Sequence, residues 1–237
     1  MKIFSIVLPC YNEGENIESL LNEIAKLTKL HDDLEIIIVE NGSTDGSLIK
    51  IKNHSICNNN SIALVEIKKN LGYGHGIMEG LNRSTGKYVG WCHADLQNNL
   101  AEIYNAFKKN LNTLEKTKTI LKGKRLNRSM VDNFFTIGMS ILVSILFKCK
   151  LTDINAQPKI FPRNFLPLLN ESPTDFSLDL YLLLTAKLNK YEILEYPFIV
   201  YKRIAGKAKG GGSMLTKVNL TLRTLNYIYK LKMGKKI

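Results

Sequence analysis

The chain has 237 residues, 45% of them apolar, and a formal net charge of +12 at pH 7. That length holds one large α/β domain or two small ones, the apolar share predicts a core, and the charge points to phosphate-bearing partners: nucleic acid, nucleotides or anionic lipid. Cys10, Cys57, Cys92 and Cys149 are too scattered for zinc spacing, which predicts reduced thiols in a cytoplasmic protein, and no DNA-binding signature accompanies the charge.

Met1-Lys2 runs directly into residues 3–8, an apolar run too short and wrongly followed for a secretory leader. Ended by Pro9, it predicts a central parallel strand buried on both faces. Asn12 with Glu15 three positions on resembles a capping box. It would open a helix reaching about Leu30, with Ile17, Leu20, Leu21, Ile24 and Leu27 at helical spacing. Residues 34–39 read as a second buried strand. The strand ends in Glu40-Asn41-Gly42-Ser43-Thr44-Asp45-Gly46, a loop offering acceptors, backbone donors and an N-cap for a short helix to about Asn53. A polar loop at 58–60 precedes strand three at 62–67. Asn70-Leu71-Gly72-Tyr73-Gly74-His75-Gly76 is a glycine-rich turn opening a helix near 77–81. It has neither the Walker A ending nor the dinucleotide spacing, which argues against P-loop and nicotinamide chemistry.

Lys87-Tyr88-Val89 begins the next strand, which delivers Gly90-Trp91-Cys92-His93-Ala94-Asp95-Leu96-Gln97 to its end. Ligands bind at such strand ends in open α/β sheets. Asp95 and Gln97 offer oxygen, the ligand atom preferred by Mg²⁺ and Mn²⁺. The plainer reading is a polar strand-to-helix turn with Asn98 or Asn99 as the N-cap. Cys92 reads as a small buried hydrophobe. The first hundred residues thus alternate strand and helix, a doubly wound half-domain with its loops at one edge.

Four stretches in this order resemble the family 2 glycosyltransferases of the GT-A fold. Residues 5–17, S-I-V-L-P-C-Y-N-E-G-E-N-I, resemble the family's opening. Residues 35–46, E-I-I-I-V-E-N-G-S-T-D-G, resemble its nucleotide-binding loop, V-D-D-G-S-x-D-G. Residues 70–80 with Thr85-Gly86-Lys87-Tyr88 resemble the third motif, and His93-Ala94-Asp95-Leu96-Gln97 resembles D-A-D-L-Q, the family's D-x-D metal site. The pattern is similar to the polyprenyl-phosphate branch, of the dolichol-phosphate mannose synthase kind, over residues 3–210, thinning after Ala101. His93 stands where the first D of D-x-D is usual, and Glu40-Asn41 where D-D is usual. The motif D-x-x-S-G-F-[KR]-x-F-x-R becomes D-I-N-A-Q-P-K-I-F-P-R at 153–163.

Past Ala101 the pattern is looser. A helix is predicted over 100–111 and a strand over 119–122, leading to Gly123-Lys124-Arg125, which resembles a short G-x-R segment of the family. Residues 131–147 are strongly apolar but interrupted by Thr136, Ser140 and Ser144. The run is shorter than the about 20 residues of a bilayer span. The resemblance favours a helix lying on a membrane, with core packing as the alternative. Asp179 falls in the first turn of a buried helix beginning at Ser177, either as a favourable charge at the helix dipole or, as the family motif suggests, as an acid near the acceptor. Residues 191–195 and 198–201 read as strands broken by Pro197. The stretch from Lys202 to Ser213 resembles the R-x-x-G-x-S-K loop, with Ala208 where Ser is usual. Without the upstream motifs it would read as a flexible basic linker. A helix over 214–232 places Leu215, Val218, Leu222, Leu225 and Tyr229 along one face beside Lys217, Arg223, Lys230 and Lys232, before Lys235-Lys236.

The resemblance implies an α/β GT-A-like fold: a doubly wound, mostly parallel sheet flanked by helices, with peripheral amphipathic helices near the C-terminal half. Residues 1–213 would form the glycosyltransferase domain, with a nucleotide-binding half over about 1–100 and an acceptor half over about 101–213. Residues 214–237 would form a basic amphipathic helix and tail. It implies transfer of a sugar from a UDP- or GDP-linked donor to a polyprenyl phosphate, by inverting displacement with Mn²⁺ or Mg²⁺. Pro9, Tyr11, Asn12, Glu13, Glu40, Asn41, Gly42, Gly74, His93, Ala94 and Asp95 would bind the nucleotide sugar. Asp95, Gln97 and His93 would hold the metal. Arg125, Arg203, Lys207 and Lys209 would face the phosphates, and Asp95 and Asp179 would be catalytic. The expected setting is peripheral, on the cytoplasmic face of an anionic membrane, with a membrane-anchoring subunit or a homo-oligomer as company and no nucleic acid. The rival readings are transfer to a sugar hydroxyl, which needs a general base that Asp179 would supply, and an inactive nucleotide-sugar-binding subunit.

Overall fold

A computed structural model describes residues 2–127, 130–203 and 214–233. The elements run β1 (Phe4–Cys10), α1 (Ile17–Leu30), β2 (Leu34–Asn41), α2 (Ser47–Asn53), β3 (Ile62–Ile67), α3 (Tyr73–Arg83), β4 (Tyr88–Trp91), α4 (Leu100–Lys116), β5 (Thr119–Arg125), α5 (Met130–Phe147), β6 (Lys159–Pro162), α6 (Leu178–Leu188), β7 (Glu192–Phe198) and α7 (Met214–Lys232). Among the described residues seven strands form one sheet in the order β3-β2-β1-β4-β6-β5-β7. Only β6 runs against its neighbours β4 and β5.

The apolar runs are continuous because both faces of the sheet are covered. Phe4, Ile6 and Leu8 of β1 and Ile36 and Ile38 of β2 join a cluster with α1 and α4. Val7, Ile37 and Val39, alternating with them, join the opposite cluster with α3 and α6. Helix α5 contributes Val143 to that second cluster, and α7 contributes Tyr227 and Ile228. Both helices also leave apolar side chains exposed: Ile137, Ile141 and Ile145 on α5, and Val218, Leu222 and Tyr229 on α7, with Met233 just past its end. No described helix is long and apolar enough to cross a membrane.

The structure differs from expectation in three places. The capping box at Asn12 does not form: α1 begins at Ile17 after Asn16. Asn12 has φ 51° and spends its side chain on the neighbouring loop, accepting from Thr44 N. Pro197 does not break β7, because that strand lies at the sheet's edge, where a missing N–H costs no ladder bond. Strand β6 was not evident in the sequence, since its four residues sit between Pro158 and Arg163 with no run long enough to show a period.

Helix α3 sits flush on the sheet through Gly80, where an added Cβ would lie 2.4 Å from Val7 Cγ1 and 2.7 Å from Val39 Cγ2. Both valines are buried and stiff at χ1. Gly80→Ala is therefore expected to lose about 1–3 kcal/mol through overpacking. Urea unfolding checks this, as a lower midpoint at unchanged slope; an unchanged or raised midpoint would refute the close fit.

Candidate active site

Strands β1, β2 and β4 run parallel and end together, so the three following loops meet at one edge. The first two are laced to each other. Asn12 N donates to Ser43 Oγ (2.9 Å), Gly14 N to Asp45 Oδ2 (2.8 Å) and Glu13 N to Ser47 Oγ (3.1 Å). Burial alone would raise the pKa of Asp45, but hydrogen bonds from Ser47 and Gly14 outweigh it and hold the carboxyl below its usual range. Lys50 reaches back to donate to Gly14 O at 2.7 Å. These loops enclose a cleft of about 340 Å³ lined by Asn12, Glu13, Gly14, Glu15, Asn16, Asp45, Lys50 and Arg203. Its size falls in the range of small-molecule pockets.

Several expected nucleotide-binding residues support this edge from beneath. Pro9 lies within β1 opposite Val39, and Tyr11 follows the strand half-buried. Glu40 is 2% exposed, and its carboxylate accepts from Ser43 N (2.7 Å) and Gly42 N (3.2 Å), folding its own loop. Gly42 has φ 74°, and a Cβ there would stand 2.6 Å from Asn70 N. Asn41 is buried and donates to Gly72 O at 3.1 Å. The glycine-rich turn admits backbone: a Cβ at Gly74 would meet Pro173 O at 2.3 Å, and His75 N donates to Thr174 O. Asn99, as one of the two expected caps, accepts from Glu102 N at the start of α4.

The turn after β4 carries the residues expected to hold a metal. Ala94 is buried, and Leu96 has φ 59°. Asp95 is 4% exposed; its Oδ1 accepts from Gln97 N (3.1 Å) and its Oδ2 from Arg203 Nη2 (2.5 Å). Gln97 Nε2 donates to Tyr201 O at 3.2 Å. His93 is half-buried, with its ring 5.6 Å from that of Tyr73, which stacks on Phe176 at 4.4 Å. Burial pushes the Cys92 thiol far up, so it is no nucleophile.

A divalent cation fits this donor set. The donor types are suitable, with a carboxylate, an amide oxygen and an imidazole within five residues and a guanidinium already held on Asp95, although among the described residues no three His, Cys, Asp or Glu side chains are gathered as a metal cluster.

Behind the turn, Asp179 lies at the start of α6 and is 1% exposed. Its Oδ1 accepts from Lys159 Nζ (2.8 Å) and Gln157 Nε2 (2.9 Å). Gln157 Nε2 also donates to the Tyr73 hydroxyl at 3.0 Å. Burial lowers the Lys159 ammonium to about 8, with Asp179 opposing the shift. Arg125 lies apart, bonded through Nε to Asp153 at 3.0 and 3.1 Å. Burial would raise Asp153, but Arg125 together with Lys122 outweighs it and holds the carboxyl low. Lys207 and Lys209 lie outside the described residues. Tyr73, Gln157, Lys159 and Tyr201 were not singled out as site residues: the fold brings Tyr73 to Gln157, and Gln157 and Lys159, two positions apart in the 153–163 stretch, to Asp179, while Tyr201 joins the Asp95 turn through Gln97.

A model of the family described as glycosyl transferase family 2 matches residues 5–161, well over half of the chain. The undecaprenyl-phosphate 4-deoxy-4-formamido-L-arabinose transferase of Proteus mirabilis is 30% identical over 143 residues, 60% of this chain and 42% of that protein. The transferase of the same name from Aeromonas hydrophila is 33% identical over 104 residues, 44% and 32% of the two chains. The matches thus span less than half the length of these relatives. Among solved structures, glucosyl-3-phosphoglycerate synthase of Mycobacterium tuberculosis, crystallised with Mn²⁺, UDP and glucosyl-3-phosphoglycerate, superposes with a TM-score of 0.71 at 18% identity, covering 98% of this chain and 80% of that one. That likeness establishes the GT-A type of fold, and with the family match it accounts for the order in which the loops are laid along the sheet edge. The chain belongs to glycosyl transferase family 2.

Proposed function

We propose that this chain transfers a sugar from a nucleoside diphosphate donor to a polyprenyl phosphate, with inversion at the anomeric carbon. The observation that carries the choice of acceptor is the burial of Asp179. A hydroxyl acceptor needs a base within hydrogen-bond reach, and the carboxylate expected to serve is 1% exposed and bonded to Lys159 and Gln157. A phosphate acceptor is already ionised at neutral pH and needs none. The names of the curated relatives, which specify undecaprenyl phosphate, support the same class. The neighbours crystallised with UDP and Mn²⁺ or Mg²⁺ support a nucleotide-linked donor and a divalent cation.

In the step itself an acceptor phosphate oxygen forms a bond to the anomeric carbon as the bond from that carbon to the nucleoside diphosphate breaks. The charge developing on the leaving diphosphate is what the site must stabilise. Asp95 and Gln97, with His93, would hold a divalent cation, which would supply charge neutralisation there. Arg203 borders the cleft and adds a positive charge. Lys207 and Lys209 follow it closely in sequence. The exposed apolar residues of α5 and α7 lie near exposed Lys148, Lys150, Arg223, Lys230 and Lys232 in sequence, a composition suited to peripheral binding at the anionic cytoplasmic face of a membrane.

A donor panel tests the proposal: UDP- and GDP-sugars with Mn²⁺ or Mg²⁺, with and without polyprenyl phosphate. Turnover of one donor is expected, stimulated by the lipid phosphate and lowered about 10²–10³-fold in Asp95→Asn, the range typical of a lost electrostatic stabiliser. Absence of binding or turnover of every donor would overturn it. The acceptor class is tested by Asp179→Asn, which keeps a side-chain oxygen for Lys159 and Gln157 but removes the carboxylate, with folding checked by thermal melting. Transfer is expected to persist within about tenfold, whereas loss of a general base costs about 10²–10⁴-fold. Because an imidazole ligand suits Mn²⁺ better than Mg²⁺, His93→Asp is expected to shift the preferred metal toward Mg²⁺ in a competition titration. Unchanged preference would remove His93 from the ligand set.

A further inference from the structure

The segment after β7 crosses back over the turn that carries Asp95. Tyr201 N donates to Gln97 O at 2.9 Å, and Gln97 Nε2 returns a bond to Tyr201 O at 3.2 Å. The Tyr201 hydroxyl donates to Glu102 Oε1 at 2.9 Å. One residue earlier, Asn127 brackets Val200 with bonds of 2.8 and 2.9 Å. The main chain is thus fastened on both sides just ahead of Arg203, whose guanidinium donates to Asp95 Oδ2 at 2.5 Å. The same residue lines the cleft with Asn12, Glu13 and Asp45. One cation therefore touches both the carboxylate suited to a metal and the cavity suited to a nucleotide.

The pair is largely out of water, with side chains 19% and 6% exposed. Its attraction is therefore weakly screened. A divalent cation approaching Asp95 must compete with it. A diphosphate in the cleft is the other natural partner for the guanidinium, since arginine binds phosphate through paired hydrogen bonds.

We propose that Arg203 couples cation binding to nucleotide binding: it neutralises Asp95 until a nucleoside diphosphate draws the guanidinium into the cleft, and Asp95 then becomes available to a divalent cation. With Tyr201 clasped to Gln97 two residues upstream, the exchange asks only for rotation of the Arg203 side chain. Coupling of this kind is reciprocal, so nucleotide tightens cation binding by the same factor as cation tightens nucleotide binding. This rests on the proposed function only in taking Asp95 as a cation ligand and the cleft as the nucleotide site; it is independent of the acceptor.

Mn²⁺ binding followed by the paramagnetic resonance signal of the free ion tests the coupling without turnover. Wild type, Arg203→Gln, Arg203→Lys and the double variant Arg203→Gln with Asp95→Asn are titrated as full chains, alone and with UDP or GDP. The signal is corrected for nucleotide–Mn²⁺ complexes in buffer. Arg203→Gln is expected to bind Mn²⁺ alone at least tenfold tighter than wild type, Arg203→Lys to fall between, and the double variant to lose the gain. One of the nucleotides is expected to tighten Mn²⁺ binding to wild type at least tenfold and to Arg203→Gln less than threefold. Equal or weaker Mn²⁺ binding by both Arg203 variants, equal tightening of wild type and variant, or no binding by any of the proteins overturns the coupling. Coupling in a protein that transfers no sugar to polyprenyl phosphate would leave this inference standing and overturn the proposed function instead.

Discussion

Lys159 and Asp179 meet at 2.8 Å with neither side chain more than 2% exposed, and much of the structure is arranged around that contact. Lys159 opens β6, which among the described strands is the one that runs against its neighbours, and Asp179 lies in the first turn of α6. The lysine satisfies its remaining hydrogens on Ile154 O and Ala156 O, so the incoming chain is folded around the ammonium. Two charges out of water are tolerable only with such complete hydrogen bonding. Through Gln157 the same carboxylate reaches Tyr73, and Tyr73 contacts His93. The interior pair is thereby linked, through one ring contact, to His93 at the sheet edge.

A second buried lysine repeats the device. Lys122 of β5 is 1% exposed and bonds Glu195 of β7, Thr152 O and Asp153 O. Burial lowers the pKa of Lys122, against the raising effect of Glu195. Arg125, three residues on, holds Asp153. Beyond β4 the sheet adds buried lysines to its apolar residues Ile120, Leu121, Ile160 and Phe161, whereas β1 and β2 present longer unbroken aliphatic runs. This division explains why the first hundred residues are the more legible. Aliphatic runs declare a strand by composition, while a lysine in a strand resembles a surface residue until its partner is known.

The loops show the same contrast. Glu40 and Asn41 occupy a recognisable nucleotide-loop pattern, yet their side chains fold the loop and pin α3. Asn12 had the spacing of a cap and instead laces two loops together. Local patterns name residue types that suit several partners, and a short polar side chain is taken by whichever backbone donor the fold brings within reach. The cleft that results is bordered by three carboxylates and two cations, and its balance of charge depends on where Arg203 points.

By itself the sequence determined the alternation of strands and helices, the burial of both sheet faces and the gathering of three polar loops at one edge. These follow from local periodicity and from the rule that parallel strands end at the same side. The family pattern at His93, Asp95 and Gln97 was legible too, because those residues are adjacent in sequence. Only the tertiary structure decided that Asp179 is sealed by Lys159, that Arg125 belongs to Asp153, and that Arg203 stands between Asp95 and the cleft. Those outcomes join residues 20, 28 and 108 positions apart. No local period carries such information; it is set by which charges remain without water once the sheet has closed.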